Sequence, residues 1–176
     1  MAITRIYVAT SADGFIADAD GSVEWLASFD PMAYGYESFS AQVGGVILGR
    51  RTYEFTQAFG DWPYSDKQAF ILTSHELWDL PDNAVFVRTG IEGALKAARN
   101  VTTKDVWIVG GAATMQAALE LGEVDSIELF VVPTLLGSGL PLLSELDQPI
   151  SMALEGIETY QDGVVKLGYR PLNRRR

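Results

Sequence analysis

The sequence contains no cysteine and only one histidine in 176 residues. The absence of cysteine excludes disulfides, thiolate nucleophiles, iron–sulfur clusters and cysteine-ligated zinc. A Ser-His-Asp triad would have to use His75, which no G-x-S-x-G elbow accompanies and which we expect in a surface loop. Asp13, Asp18 and Asp20 lack the glycine and glutamate spacing of a calcium-binding EF-hand loop. The sequence therefore predicts neither a catalytic triad nor a metal site.

Positive charge is also scarce, with 13 Lys and Arg against 23 Asp and Glu and a formal net charge of −10. Such a charge repels phosphate backbones, so we expect no nucleic-acid partner and interpret the three arginines at 174–176 as a solvated terminus. The chain has no run of about 18 apolar residues, and no basic segment leads into an apolar one near its start. We therefore expect a cytoplasmic protein without a membrane partner.

Internal repeats, low-complexity tracts and linker-like stretches are missing as well. Hydrophobic residues make up 48% of the chain, which is enough for one packed core at this length. Residues 1–176 are therefore predicted to form a single domain.

Eight short runs rich in β-branched and aromatic residues predict strands. They cover residues 3–9, 45–48, 69–73, 84–88, 105–109, 126–132, 151–160 and 164–169. Several runs, such as residues 46–48, are apolar at every position, which is typical of parallel strands covered by helices on both faces. The last two runs flank Asp162-Gly163, a hairpin signal, so they are predicted to be antiparallel to each other.

Four helical patterns alternate with these strands. The first has Asp30 as its cap and Pro31 as its first helical residue, and it ends at Gly44-Gly45. Two others follow glycines directly and cover about residues 51–59 and 112–121.

The remaining helix follows a capping box of Thr89 and Glu92. Its apolar face comprises Ile91, Ala94, Leu95 and Ala98. Strands that alternate with helices and close with a hairpin indicate the α/β class. The expected architecture is a three-layer sandwich around a central, mostly parallel eight-stranded sheet with a C-terminal antiparallel hairpin.

Two of the predicted strands end in glycine and lead directly into a helix, at Gly49 and at Gly110-Gly111. A helix N-terminus presents unpaired N–H groups and a positive dipole end, and glycine lets a phosphate approach the backbone. Arg50 and Arg51 add positive charge beside the first turn. Neither segment is a dinucleotide fingerprint or a P-loop, and each alone is an ordinary tight turn. Side by side, the two turns predict a nucleotide site.

A third strand continues into Thr73 and Ser74. Open α/β sheets bind ligands at the carboxyl ends of their strands, where these hydroxyls can donate to a phosphate or a ribose. The partner that the residues predict is thus a small molecule.

Several segments carry a family resemblance that extends, in order, over nearly the whole chain. They are Ser11-Ala12-Asp13-Gly14-Phe15-Ile16-Ala17, Trp25-Leu26, Gly49-Arg50-Arg51-Thr52-Tyr53-Glu54, Leu72-Thr73-Ser74, Val109-Gly110-Gly111 and Pro133-Thr134-Leu135-Leu136-Gly137-Ser138-Gly139. In this set the sequence resembles the dihydrofolate reductase-like superfamily. Within that superfamily it is similar to the C-terminal reductase domain of the bifunctional riboflavin biosynthesis deaminase/reductase.

The resemblance implies the dihydrofolate reductase-like fold and an NADPH-dependent reductase. The implied substrate is a small heterocycle or imine, as for 5-amino-6-(5-phosphoribosylamino)uracil reductase. The resemblance also implies that the nicotinamide lies along Ala9, Ile16 and Gly21, with residues 13–25 as a lid that excludes water.

The remaining residues of the implied cofactor site follow from the same resemblance. The phosphates and pyrophosphate are expected to contact Gly49, Arg50, Arg51, Thr52, Gly110, Gly111, Ala112, Ala113 and Thr114. Thr73 and Ser74 are expected on the adenosine side, near the 2′-phosphate. Leu72 and Val109 complete the implied site.

Two positions depart from the patterns of the named enzymes. Dihydrofolate reductases carry an acidic residue on the first helix, where this sequence has Gly35, and riboflavin-pathway reductases usually carry glutamate where it has Val109. A dihydrofolate reductase and a non-catalytic NADPH- or nucleotide-binding module are therefore the alternatives. For reduction of a C=N bond, the candidate proton donors are Asp13, Tyr36 and a bound water.

Aromatic and apolar residues outside these motifs suggest further contacts. Trp25, Trp62 and Tyr64 are candidates for stacking on a planar substrate. Apolar residues within 135–146, set between glycines and prolines, indicate an interface. Because the resembling family commonly forms homodimers, we expect a homodimer.

Overall fold

The computed structural model describes residues 2–58, 60–75 and 80–173. Within these ranges the chain forms ten strands, four α-helices and two 3₁₀-helices, Glu24–Leu26 and Pro31–Tyr34. The strands are β1 (Thr4–Ser11), β2 (Phe15–Ala17), β3 (Val43–Gly49), β4 (Gln68–Leu72), β5 (Ala84–Val87), β6 (Asp105–Gly110), β7 (Ser126–Val132), β8 (Leu140–Pro141), β9 (Met152–Thr159) and β10 (Val165–Pro171). The helices are α1 (Tyr36–Gln42), α2 (Arg50–Ala58), α3 (Gly90–Val101) and α4 (Ala112–Glu120). None of the helices in these ranges is long and apolar enough to cross a membrane.

Eight strands form one sheet in the order β5-β4-β3-β6-β1-β7-β10-β9. The first six are parallel, while β10 runs antiparallel to both β7 and β9. The prediction of a mostly parallel eight-stranded sheet with a C-terminal antiparallel hairpin is therefore confirmed. The strands β2 and β8 pair with each other in a small second ribbon that the sequence patterns did not predict. They contain three and two residues, too few to show an alternating pattern.

Alternating residues of β1 divide between cores on opposite faces of the sheet. Ile6 and Val8 pack in the core beneath α3 and α4. Tyr7 points to the other face, where the Phe39 ring of α1 stacks on it with centroids 4.2 Å apart and the Trp107 ring of β6 meets it edge-on. Helices α3 and α4 cover one face of the sheet, and α1 and α2 cover the other. The sheet and these two helical layers form the predicted three-layer sandwich.

The first predicted helix is interrupted. Asp30 caps its start as expected, because the carboxylate accepts a hydrogen bond from the Met32 N–H at 2.9 Å. The following segment, Pro31–Tyr34, is a 3₁₀-helix, and Gly35 then adopts a left-handed φ of +80° before α1 begins. The prediction of one continuous helix was therefore wrong, since apolar spacing does not reveal a left-handed residue between two turns.

The capping box proposed for α3 is also wrong, because the Thr89 side chain makes no capping hydrogen bond. The predicted apolar face of α3 is confirmed as buried. It comprises Ile91, Ala94, Leu95 and Ala98. The helix α2 begins one residue earlier than predicted, at Arg50, and its predicted end at Phe59 lies outside the described residues.

Candidate functional site

The two strand-to-helix turns lie side by side because β3 and β6 are neighbours in the sheet. Leu48 of β3 pairs with Gly110 of β6, so Gly49 is next to the Gly110-Gly111 turn. On the other side of β3, Gly49 pairs with Leu72, the last residue of β4. The segments predicted from the sequence therefore meet at one carboxyl edge of the sheet, where α2 and α4 begin.

Glycine is needed where the two turns face each other. A Cβ at Gly49 would lie 2.9 Å from the Thr114 hydroxyl oxygen, and one at Gly111 would lie 3.2 Å from that of Thr52. Gly110 has a φ of +147°, and its peptide bond to Gly111 is cis. Neither threonine hydroxyl has a hydrogen-bond partner within the described chain. These five residues, called the cradle below, bring two unused hydroxyls close to the backbone of the two turns.

Backbone donors and positive charge surround the cradle. The first N–H groups of a helix have no intrahelical acceptor, and no side chain caps the N-terminus of α4, so the N–H groups of Ala112 and Ala113 are available as donors. The Arg50 guanidinium lies 2.8 Å from the Glu54 carboxylate, whereas the exposed Arg51 has no ion-pair partner among the described residues. This edge thus offers donors and an available cation to an anionic group.

Thr73 and Ser74 lie just beyond β4 at the same edge. The Thr73 hydroxyl is engaged locally, because it accepts a hydrogen bond from the His75 N–H at 3.0 Å and donates to the His75 carbonyl at 3.2 Å. Ser74 and His75 are exposed, as expected for a surface loop. Ser74 is therefore the accessible hydroxyl of the pair.

A cavity of about 620 Å³ opens on the sheet face that carries Tyr7. Strands β1 and β7 contribute to its floor, and β1 is the neighbour of β6, so the cavity lies one strand away from the cradle. Its lining residues are Tyr7, Ala9, Val23, Glu24, Leu26, Ala27, Phe29, Pro31, Tyr34, Phe130, Val132 and Val164. Nine of these twelve side chains are hydrocarbon, which suits an apolar ligand.

Two tyrosines, Tyr7 and Tyr34, belong to the lining of this cavity. The Tyr34 hydroxyl donates to the carboxylate of Asp162 in the β9–β10 turn, and the Tyr7 hydroxyl donates to the Tyr34 carbonyl at 3.3 Å. Burial and the bond to Asp162 raise the pKa of Tyr34 to about 12, and the same bond lowers the pKa of Asp162. Burial raises the pKa of Tyr7 even more. Both phenols are therefore protonated at neutral pH, with their hydrogens directed at protein acceptors.

Asp13 lies at the start of the loop that follows β1. Its carboxylate accepts hydrogen bonds from the Ser11 hydroxyl at 2.6 Å and from the Leu136 and Gly137 N–H groups at 3.1 and 2.7 Å. These bonds, the one from Ser11 foremost, lower the pKa of Asp13. An ionised carboxylate has no proton to donate, so the geometry favours an anchoring role over the hypothesised proton transfer.

Residues 4–166 match the family described as the RibD C-terminal domain. The chain belongs to this family. The match begins in β1 and ends in β10, and it therefore includes the cradle and the whole cavity lining. The resemblance inferred from the sequence motifs is confirmed.

Relatives and solved structures agree with membership of the RibD C-terminal domain family. The uncharacterized protein YwjB of Bacillus subtilis is 32% identical over 163 residues, which cover 92% of this chain and 94% of YwjB. Dihydrofolate reductase HdrB of Haloferax volcanii is 29% identical over 137 residues, covering 71% of this chain and 67% of HdrB. A protein of Shewanella sp. PV-4, whose name assigns it to riboflavin biosynthesis, has a structure that matches with a TM-score of 0.83 and 27% identity, covering 97% of this chain and 99% of that one.

In this member of the RibD C-terminal domain family, the first half of the expected lid, residues 13–25, is anchored. The strand β2 pairs with β8, and the Leu142 N–H donates to the Gly14 carbonyl at 3.0 Å. Ile16 lies within β2, and Gly21 has a left-handed φ of +84° in the turn that follows. The second half contributes to the cavity lining, so this loop connects the anchored ribbon to the cavity.

Tyr36 and the candidate stacking residues do not line the cavity. Tyr36 packs among aromatic side chains, with its ring centroid 6.1 Å from that of Tyr7, and burial raises its pKa. Trp62 and Tyr64 pack edge-to-face with ring centroids 5.1 Å apart. Trp25 packs against the core beside the cavity. The contacts of these residues favour roles in packing.

Sequence patterns missed the residues that shape the cavity, above all Tyr34, Phe130 and Asp162. Tyr34 and Asp162 are 128 positions apart, and locally Asp162 indicates a hairpin and nothing more. Tyr7 offered the one usable signal, because alternation along β1 places it on the face opposite Ile6. The cavity above that face depends on a 3₁₀ segment that has no periodic signature.

Proposed function

We propose that this protein is an NADPH-dependent reductase of the riboflavin-pathway type that acts on a small heterocyclic or imine substrate. Membership of the RibD C-terminal domain family and the names of HdrB and of the Shewanella protein support this reaction class. The observation that carries the proposal is the cradle, where two helix N-termini and two unpartnered hydroxyls converge on three glycines.

The residues of the cradle fit the phosphates of a dinucleotide. Gly49 and Gly111 keep side chains out of the space between the turns, and the N–H groups of Ala112 and Ala113 are available as donors. Arg51 supplies a cation without an internal partner in the described chain. When bound at this edge, NADPH supplies a hydride to the substrate.

The cavity is the expected position of the substrate. Ala9 belongs both to the cavity lining and to the residues expected beside the nicotinamide, so it connects the two parts of the site. Val23 and Glu24 belong to the loop over the cavity, where they help to exclude water from the reacting atoms. Ile16 and Gly21 belong to the same loop, and Asp13 anchors its start.

Reduction of a C=N bond also requires a proton on nitrogen. Asp13 is ionised, while Tyr7 and Tyr34 give their hydrogens to protein acceptors. Water at the mouth of the cavity is therefore the proposed proton source.

Cofactor binding is the first test. The purified protein is titrated with NADPH and NADH while thermal unfolding and tryptophan fluorescence are followed. A ligand at 100 times its dissociation constant stabilises a fold by about 2.7 kcal/mol, and we expect this effect from NADPH. The Gly111→Ala variant is expected to lose it, because the added Cβ lies 3.2 Å from the Thr52 hydroxyl and fills the cradle.

Gly156→Ala is the matched control, since its added methyl group meets nothing within 4 Å. This variant is expected to bind NADPH like the wild type. Wild-type NADPH affinity in Gly111→Ala would show that the cradle is not the cofactor site.

The two alternatives, a dihydrofolate reductase and a non-catalytic binding module, are distinguished by whether NADPH is oxidised and by which acceptor. The similarity to HdrB favours dihydrofolate, but the position expected to carry the pterin-binding acid is Gly35, which has no side chain. NADPH oxidation that depends on dihydrofolate would support a dihydrofolate reductase. NADPH binding without oxidation by dihydrofolate or any C=N acceptor would support a binding module.

A further inference from the structure

The cavity beside the cradle restricts the class of substrate, given the reductase function proposed above. The described residues that line it include neither lysine nor arginine. Its single ionisable carboxylate is that of Glu24, and the carboxylate of Asp162 lies behind the Tyr34 hydroxyl. Glu24 is solvent-exposed, so the lining offers an anionic substrate one carboxylate and no cation.

Cations in the neighbouring strands are already neutralised. Lys166 lies 5.7 Å from the Phe130 ring that lines the cavity, but its amino group is 2.9 Å from Glu128 and 3.1 Å from Glu158. Arg5 is likewise paired with two carboxylates. A phosphate or carboxylate inside the cavity would thus be desolvated without a counterion, which is strongly unfavourable.

Hydrogen-bond polarity at the cavity wall leads to the same restriction. The hydroxyl hydrogens of Tyr7 and Tyr34 are directed at the Tyr34 carbonyl and at Asp162, so neither phenol has a hydrogen left to donate to an anionic ligand.

We propose that the cavity binds an uncharged, planar, largely apolar acceptor, and that it rejects substrates with a phosphate or carboxylate group. A volume of about 620 Å³ and a lining rich in hydrocarbon side chains accommodate a heteroaromatic compound of two or three rings. The phosphate of 5-amino-6-(5-phosphoribosylamino)uracil finds no counterion in this lining. The substrate class is a phosphate-free heterocycle with a C=N bond.

Riboflavin and FMN test this proposal, because they share one three-ring heterocycle with an N–H group and differ by a phosphate. Their dissociation constants are measured from flavin fluorescence with NADP⁺ present at saturation, so that the cradle is not open to the FMN phosphate. We expect riboflavin to bind roughly tenfold more tightly than FMN. Equal affinities, tighter binding of FMN, or binding of neither compound overturns the proposal.

A separate titration with NADP⁺ alone tests the cofactor site. A failure of the proposed reductase function is therefore distinguishable from a failure of the proposed substrate class. If NADP⁺ does not bind, the reductase function fails, and the substrate class proposed here, which rests on it, fails with it.

A charge-reversed variant locates the selectivity. We expect Glu24→Lys to raise the affinity for FMN relative to that for riboflavin by roughly five- to tenfold, because it adds a counterion at the lining. The matched control is Glu37→Lys, which makes the same charge change at an exposed position of α1 outside the lining. If Glu37→Lys raised the affinity for FMN equally, the selectivity would come from overall charge, and the role of the cavity would be overturned.

Discussion

Among single residues, Asp13 joins two loops that are distant in the chain. One of its oxygens accepts hydrogen bonds from the Ser11 hydroxyl and the Leu136 N–H, and the other accepts from the Gly137 N–H. The carboxylate therefore adds an ionic anchor to the loop that the β2–β8 pairing also holds. Replacing it with asparagine keeps the size of the side chain but places an NH₂ group against an N–H donor.

The lowered pKa of Asp13 predicts how this anchor depends on pH. Because the folded-state pKa lies below the ordinary value of 3.8, the stabilisation is complete above that value and is lost as pH falls through the lowered pKa. We expect Asp13→Asn to be less stable than the wild type by a constant amount between pH 7 and about pH 5, with the gap closing below about pH 4. Urea unfolding across this range measures the gap.

The control for this experiment is Asp61→Asn, at an exposed position that makes no comparable hydrogen bonds in the described chain. This variant is expected to match the wild type at every pH. A gap for Asp13→Asn that widens on acidification would contradict the anchoring role.

Among the secondary-structure elements, the break before α1 depends on Gly35. Its φ is +80°, and an added Cβ would meet nothing within 4 Å. The cost of alanine there comes from the backbone alone, and we expect Gly35→Ala to lower the free energy of unfolding by about 1–2 kcal/mol. Gly156→Ala, which has open surroundings without a left-handed φ, is expected to change it by much less. A stabilised Gly35→Ala in denaturant unfolding would indicate a continuous helix.

The sequence alone predicted the cradle but not the cavity. Gly49 and Gly110 each stand in a strand-glycine-helix pattern of consecutive residues, and the parallel pairing of β3 with β6 then brings the two patterns together. The cavity instead needs Tyr34 to meet Asp162, which follows from β10 lying beside β7 and from a non-periodic 3₁₀ segment. Local patterns encode turns and strands, whereas such distant contacts arise only from the assembled sheet.

At the scale of the whole molecule, the outer end of the sheet presents apolar side chains to solvent. Leu154 and Ile157 of β9 are 52% and 59% exposed, and they pair with Tyr169 and Leu167 of β10. Since those two partners are two positions apart, the bulge between Leu154 and Ile157 places both side chains on one face of the sheet. The helices α3 and α4 pack against β3, β4, β5 and β6 rather than against this end.

An exposed apolar sheet face of this kind is typical of a protein interface, and it favours the homodimer expected from the sequence. Leu135, in the segment that first suggested an interface, is 76% exposed and is a second candidate contact. We expect light scattering to give the mass of two chains for the wild type and of one chain for Ile157→Lys, because a buried lysine without a partner opposes association. Leu135→Lys is the corresponding variant in the 135–146 segment. If only Leu135→Lys gives a monomer, the interface lies on residues 135–146, and a monomeric wild type would exclude the dimer.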